Sequence, residues 1–239
     1  MEGRAQSHVV GVALMLGLAV IALGALTLGI GTVLESQAGT ADASRVGTAM
    51  ADGLDGVEQT GPHSQPIAFS QGTLGTERRT LRVIENGTVI ERYSVDALVF
   101  EGSGQRVAAL AGAVVRGRPD NAWLTDEPPV TSSERTGVLV VGVPVLNASG
   151  TGISGQGGVR ATLETNVSHA RTDLGTGEYA VALETRTPEP FERYFGAQNA
   201  TVTRRTFAGD RHESVVARYP GRREGYVVVH DLGLEVNGG

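Results

Sequence analysis

Few residues in this chain have the types and spacing that chemistry requires. Gly150-Thr-Gly152-Ile-Ser-Gly155 spells G-x-G-x-x-G behind a strand-like run at 137–145, the pattern of a dinucleotide-binding turn. Such a turn must open directly into a helix whose N-terminus faces the pyrophosphate. Gln156-Gly157-Gly158 follows instead, then another strand pattern, so these residues read as a flexible turn. Ser154 is followed by Gly155-Gln156 and lacks the G-x-S-x-G surroundings of a hydrolase nucleophile. The histidines His8, His63, His169, His212 and His230 never stand at metal-ligand spacing, and there is no Cys to complete a set. Asp120, Asp126 and Glu127 have the chemistry of calcium ligands without a recognisable spacing. Asp210-Arg-His212-Glu213 reads as a solvated turn. No catalytic residue, cofactor or metal is expected, and the chain is not read as an enzyme.

Asparagine carries the clearest chemical signal. Six Asn occur, and four open an Asn-X-Ser/Thr triplet: Asn86, Asn147, Asn166 and Asn199. At this Ser/Thr content about one such triplet is expected by chance. The excess marks them as N-glycan acceptors, with turn chemistry as the plainer explanation. Occupied acceptors would place the following domain outside the cell.

These residues need elements to carry them. Residues 9–34 form a 26-residue stretch without a charge, behind a short polar leader. As a helix it would reach about 39 Å, against a hydrocarbon core of about 30 Å, so it is expected to span a bilayer. Arg4 precedes it and Glu35 follows, which favours the N-terminus inside and an extracellular C-terminal domain. Ala13, Gly17, Ala25 and Gly29 would give it close-packing faces for other helices. Helical spacing continues at Val46, Met50, Leu54 and Val57 until Thr60-Gly61-Pro62, so the helix is expected to leave the membrane as a stalk ending near Gln59.

Beyond Pro62, β-branched runs alternate with Gly- and Ser-rich turns. Asn86-Gly87 predicts a type I′ hairpin that sets Ile84 against Val89 and Arg82 against Glu91. Further strands are expected at 97–101, 106–115, 137–145, 159–166, 178–186, 200–207, 214–218 and 226–234. Thr187-Pro188 opens one short helix through Phe191, Tyr194 and Phe195, whose spacing packs it on a sheet. Trp123 is read as a core anchor. The expected fold is therefore α+β: a leader (1–5), a long N-terminal hydrophobic helix with its stalk (6–60), and a mainly antiparallel β head, sandwich or large sheet, at 61–239.

Composition narrows the partners. A net charge of −6 and a pI of about 5.4, with no basic cluster, argue against nucleic acid. All 20 basic residues are Arg, as a GC-rich genome or a high-salt habitat would produce. The absence of Cys removes disulfides and thiol chemistry, leaving stability to the packed core.

Gly3-Arg4-Ala5-Gln6-Ser7-His8-Val9-Val10-Gly11-Val12 resembles the N-terminus of archaeal type IV pilin-like proteins, and the remainder resembles the Lys-poor pilin-like proteins of haloarchaea. The resemblance implies cleavage between Ala5 and Gln6 by a prepilin-peptidase-like enzyme, followed by assembly with other pilin-like subunits. The function it implies is a minor or accessory cell-envelope subunit, structural or adhesive, in a type IV pilus-like system. The alternative is a single-pass, membrane-anchored, extracellular ligand-binding β-domain that does not polymerise.

Overall fold

The computed structural model describes residues 3–148 and 152–238, and the side chains of all of these except 3–13 and 25–36. Helix α1 (Gly3–Gly53) comes first. Fifteen strands follow: β1 (Gly61–Glu77), β2 (Thr80–Glu85), β3 (Thr88–Ser94), β4 (Ala97–Gly102), β5 (Gln105–Leu110), β6 (Ala113–Arg116), β7 (Trp123–Asp126), β8 (Val130–Ser133), β9 (Val138–Val145), β10 (Ile153–Gly177), β11 (Tyr179–Glu184), β12 (Thr201–Arg205), β13 (Ser214–Arg218), β14 (Arg223–Asp231) and β15 (Glu235–Gly238). Helix α2 (Pro188–Ala197) interrupts them between β11 and β12.

The strands form two sheets. A ten-stranded sheet runs β7-β6-β5-β4-β1-β10-β14-β9-β8 with β15 also on β10, and a five-stranded sheet runs β12-β13-β11-β2-β3. The 25-residue β10 splices the larger sheet: its first part pairs with β1, and its second part, from Ser168 to Gly177, pairs with β14. Among the described residues only β14 and β9 run parallel, with Val227 opposite Val141.

Side-chain alternation makes this a three-layer body. On β4, Ala97 and Val99 enter a core shared with the five-stranded sheet and α2, whereas Leu98 and Phe100 enter a second core under α1. On β5, Ala108 and Leu110 face the first core, Val107 and Ala109 the second. Strands buried on both faces read as unbroken apolar runs, which explains why β4 to β6 lack the polar alternation of a surface sheet.

The second half of α1 supplies the outer layer. Ala43, Val46, Ala49, Met50 and Leu54 are all buried, at helical spacing, against β1, β4, β5, β6 and β10. The glycines that weaken this helix by propensity permit its close approach: a Cβ on Gly53 would stand 2.8 Å from Gln65 Cβ. Buried Asp42 fixes the register by accepting the Ser70 backbone N–H at 2.8 Å and pairing with Arg45.

Several expectations are corrected here. The expected α+β division into a hydrophobic helix with a free stalk and a separate head gives way to a mainly β body in which residues 42–53 of α1 are a packed layer. The helix ends at Gly53 rather than near Gln59, because Asp55 accepts the Val57 and Glu58 N–H groups, both at 3.2 Å, and turns the chain toward β1. Among the described residues no helix is long and apolar enough to cross a membrane. Bilayer contact through 9–34, the single-pass anchor, and the placement of the C-terminal domain outside a membrane therefore lack support.

The hairpin forms as expected at Asn86 (φ 49°) and Gly87 (φ 84°), with Ile84 opposite Val89. A bulge between Val83 and Ile84 then shifts the register, so Glu91 faces Val83 and Arg82 faces Arg92. The expected strand at 106–115 is two strands, because Ala111 and Gly112 both adopt positive φ and reverse the chain.

Candidate functional site

The largest apolar surface with described side chains lies on α1. Leu14, Met15, Leu16, Leu18, Val20, Ile21 and Leu23 are each 61–77% exposed. At about 100° per residue they encircle the helix rather than marking one face. A Cβ on Gly17 or Gly24 would meet nothing within 4 Å, so the surface also has shallow places where another backbone could approach closely. Burying these seven side chains is worth on the order of 10 kcal/mol. Gly17, one of the expected helix-packing residues, lies within this segment. The side chains of Ala13, Ala25 and Gly29, and the expected cleavage point at Ala5 and Gln6, lie outside those described.

A second feature is a hollow of about 500 Å³ beside the C-terminal end of α1. Leu54, Ala109, Val114, Leu146 and Leu232 form its apolar floor. Asp52, Asp55, Glu58, Asp126 and Glu127 line it too, and no basic residue does. Among the described residues none of these five carboxylates forms an ion pair. Asp126 and Glu127 thus both line the hollow, while Asp120 does not. Among the described residues no group of three His, Cys, Asp or Glu is arranged to hold a metal.

Two polar arrangements join residues distant in sequence, and spacing gave no sign of either. His169 and His230 meet at 2.9 Å between their Nδ1 atoms, with rings nearly perpendicular at 82°. Burial pulls the His230 imidazolium down from its ordinary value and His169 adds to the effect, while a hydrogen bond with the Gly56 backbone and the charge of Asp55 oppose it. Arg82 and Asp210 form an ion pair with both side chains 1% exposed. Asp210 also accepts the Ser214 hydroxyl at 3.0 Å, and the Arg82 guanidinium stacks 4.5 Å from the centre of the Phe207 ring. The segment 210–213, expected to be a solvated turn, thus anchors a buried charge through its first residue. On β5, between β4 and β6, Arg106 bridges Glu77 and Glu101, both at 3.2 Å.

The four acceptor asparagines are all exposed. Asn86 and Asn199 stand at positive φ on turns, Asn147 at positive φ in the irregular segment after β9, and Asn166 lies in β10 opposite Pro62. Residues 149–151, which include the third residue of the Asn147 triplet, lie outside the description. Trp123, expected in the core, is 46% exposed with the Arg116 guanidinium 5.7 Å from its ring centre. The short helix packs as expected: Phe191 and Phe195 are buried, and the Tyr194 hydroxyl lies 2.9 Å from the carbonyls of both Pro128 and Val130. Residues 153–155 open β10 against β1, so strand rather than helix follows the glycine motif, as a nucleotide site would not allow.

These features define a class: a three-layer, mainly β protein whose outer helix continues into an exposed apolar segment. The chain belongs to DUF7289, a family of unknown function, matched over residues 4–235. No curated protein and no solved structure matches it. The family does not connect the chain with archaeal pilins or with membranes, which corrects the membrane, transmembrane and pilin designations drawn from the N-terminal segment.

Proposed function

We propose that this protein is a structural or adhesive subunit that assembles with its own kind through the exposed part of α1. The observation that carries this reading is the ring of seven large apolar side chains at 14–23, left in solvent by a helix whose other half is locked into the body. Contiguous apolar surface of this size marks an interaction site. An apolar helix open on all sides is suited to several helical neighbours at once, and heterologous packing of identical helices builds open, filament-like arrays. This is the kind of assembly that the resemblance of the N-terminal segment implied, and it requires no catalytic group.

Sedimentation of the full chain, with and without Leu18→Arg/Ile21→Arg, tests the proposal. The unaltered chain should sediment as an oligomer or fibre, and the variant as a monomer of unchanged circular dichroism and melting temperature. A monomeric unaltered chain at high concentration would overturn it.

The acidic hollow favours a second reading, a β-domain that binds a cationic ligand and does not polymerise. Calorimetric titration with an alkylammonium probe distinguishes the two: saturable binding by a monomeric chain supports the second.

A further inference from the structure

The link between α1 and β1, residues 54–60, is fastened to the large sheet by the two histidines that meet on β10 and β14. His169 Nε2 stands 3.0 Å from the Gln59 carbonyl oxygen and 2.9 Å from Thr60 Oγ1. A carbonyl oxygen only accepts, so this Nε2 carries a hydrogen and donates it. The proton between the rings is then constrained. Either His230 Nδ1–H donates to the lone pair of a neutral His169, or a cationic His169 donates from Nδ1 to the lone pair of His230. In both cases one hydrogen occupies the 2.9 Å gap. A second hydrogen there would set two N–H groups and two positive rings face to face, with no hydrogen bond between them.

Two neighbours favour a charged His230, the Asp55 carboxylate and the Gly56 backbone, and the other groups around the pair are engaged elsewhere or uncharged. The link itself contributes Asp55, whose charge favours protonation of His230, and Glu58, exposed at the hollow. From β1, His63 Nε2 lies 3.2 Å from the Thr60 carbonyl and so grips the same segment. On β10, Arg171 shares the face of His169 but lies over the Tyr226 ring at 4.3 Å. On β14, Asp231 accepts from Asn147 at 3.2 Å and from the Gly233 N–H at 3.1 Å. From β9, uncharged Pro144 stands opposite His230.

We propose that His169 and His230 form a one-proton latch: sharing a single hydrogen they hold the α1–β1 link on the sheet, and in acid a second hydrogen drives the two cationic rings apart and draws the His169 Nε2–H away from Gln59 and Thr60. The latch stands independently of the assembly reading, because it concerns only how the link is held. If α1 does carry assembly, release of the latch loosens the joint between the assembling helix and the β body.

Amide hydrogen exchange and histidine ring ¹⁵N spectra of the full chain, taken from about pH 7.5 to about pH 4.5, test this. After correction for intrinsic rates, the amides of Gln59 and Thr60, which Asp55 does not hold, should exchange at least about tenfold faster at the acid end, in a step that coincides with the second ring protonation. In His169→Gln and His230→Gln the step should vanish, with fast exchange already at neutral pH. The ring spectra need no variant: Nδ1 signals showing one shared hydrogen above the step and two below it support the latch. A link that stays protected while both rings are doubly protonated would overturn it, as would a step that persists in both variants.

Discussion

Arg82 and Asp210 are joined by paired hydrogen bonds across 128 residues of chain, the guanidinium donating to both carboxylate oxygens. One stands on β2 and the other in the turn before β13, so the pair ties a central strand of the smaller sheet to the loop at its end. Ser214 also donates to the carboxylate, while the guanidinium groups of Arg82 and Arg205 stand 4.5 and 4.6 Å from the centre of the Phe207 ring.

Removing one partner of this pair leaves an uncompensated buried charge. Asp210→Ala is therefore expected to lower unfolding free energy by about 3–5 kcal/mol. The double change Arg82→Met/Asp210→Leu should recover much of that loss. Urea denaturation of the three variants beside the unaltered chain measures both, and a single variant within about 0.5 kcal/mol of the parent would contradict the geometry.

Met50 tests whether α1 is a layer or a stalk. Its side chain is fully buried between the helix and the large sheet. Met50→Ala should cost about 2–5 kcal/mol by creating a cavity. A freely standing helix would lose no more than about 0.5 kcal/mol by the same change. Thermal and urea unfolding followed by circular dichroism distinguish the two.

Gly225 is required by close approach. A Cβ there would fall 2.7 Å from the Tyr179 ring, which is pinned by its hydroxyl donating to the carbonyls of Leu174 at 2.9 Å and Gly175 at 3.1 Å. The ring cannot retreat without breaking those bonds. Gly225→Ala is expected to destabilise by about 1–3 kcal/mol, and Tyr179→Phe by about 1 kcal/mol, both read from urea midpoints.

Stability should fall on mild acidification. Burial lowers the folded-state value of His230 below the ordinary histidine range, so the unfolded chain binds more protons as pH drops through about 6.5. The stabilisation is fully present above that value and is lost as pH falls toward the folded one. His212 is lowered as well, by burial first and then by the charge of Arg79, with the same sign. Urea midpoints measured across this range should decline in the unaltered chain and decline less in His230→Gln and in His212→Gln. A flat profile in the unaltered chain would contradict both assignments.

Local features were legible and distant ones were not. Asn86-Gly87 announced its turn because only residues tolerant of positive φ close a two-residue hairpin, and Pro188 announced α2 by presetting its first turn. Strand β13 matched its expected span, Ser214–Arg218. Strands β1, β7, β8 and β15 carried too little polar–apolar alternation to be read, since the exposed face of β1 mixes Pro62, Pro66 and Ala68 with Ser64 and Ser70 and glycines follow. Trp123 looked like a core residue by type but sits on an edge strand. Of the candidate sites, the uncharged run was visible as a run, yet its placement in a bilayer was inferred from length alone, which the described part of the helix does not support.

By itself the sequence determined the turns, the β-rich body beyond Pro62, the short helix and the lack of cysteine chemistry, because each depends on the backbone preferences or composition of a few adjacent residues. Only the tertiary structure decided which face of α1 meets the sheet, which strands are buried on both sides, and which polar groups become partners. Those outcomes depend on strand order. Pairing β10 with both β1 and β14 is what brings His169 to His230, and pairing β2 with β11 beside β13 is what brings Arg82 to Asp210.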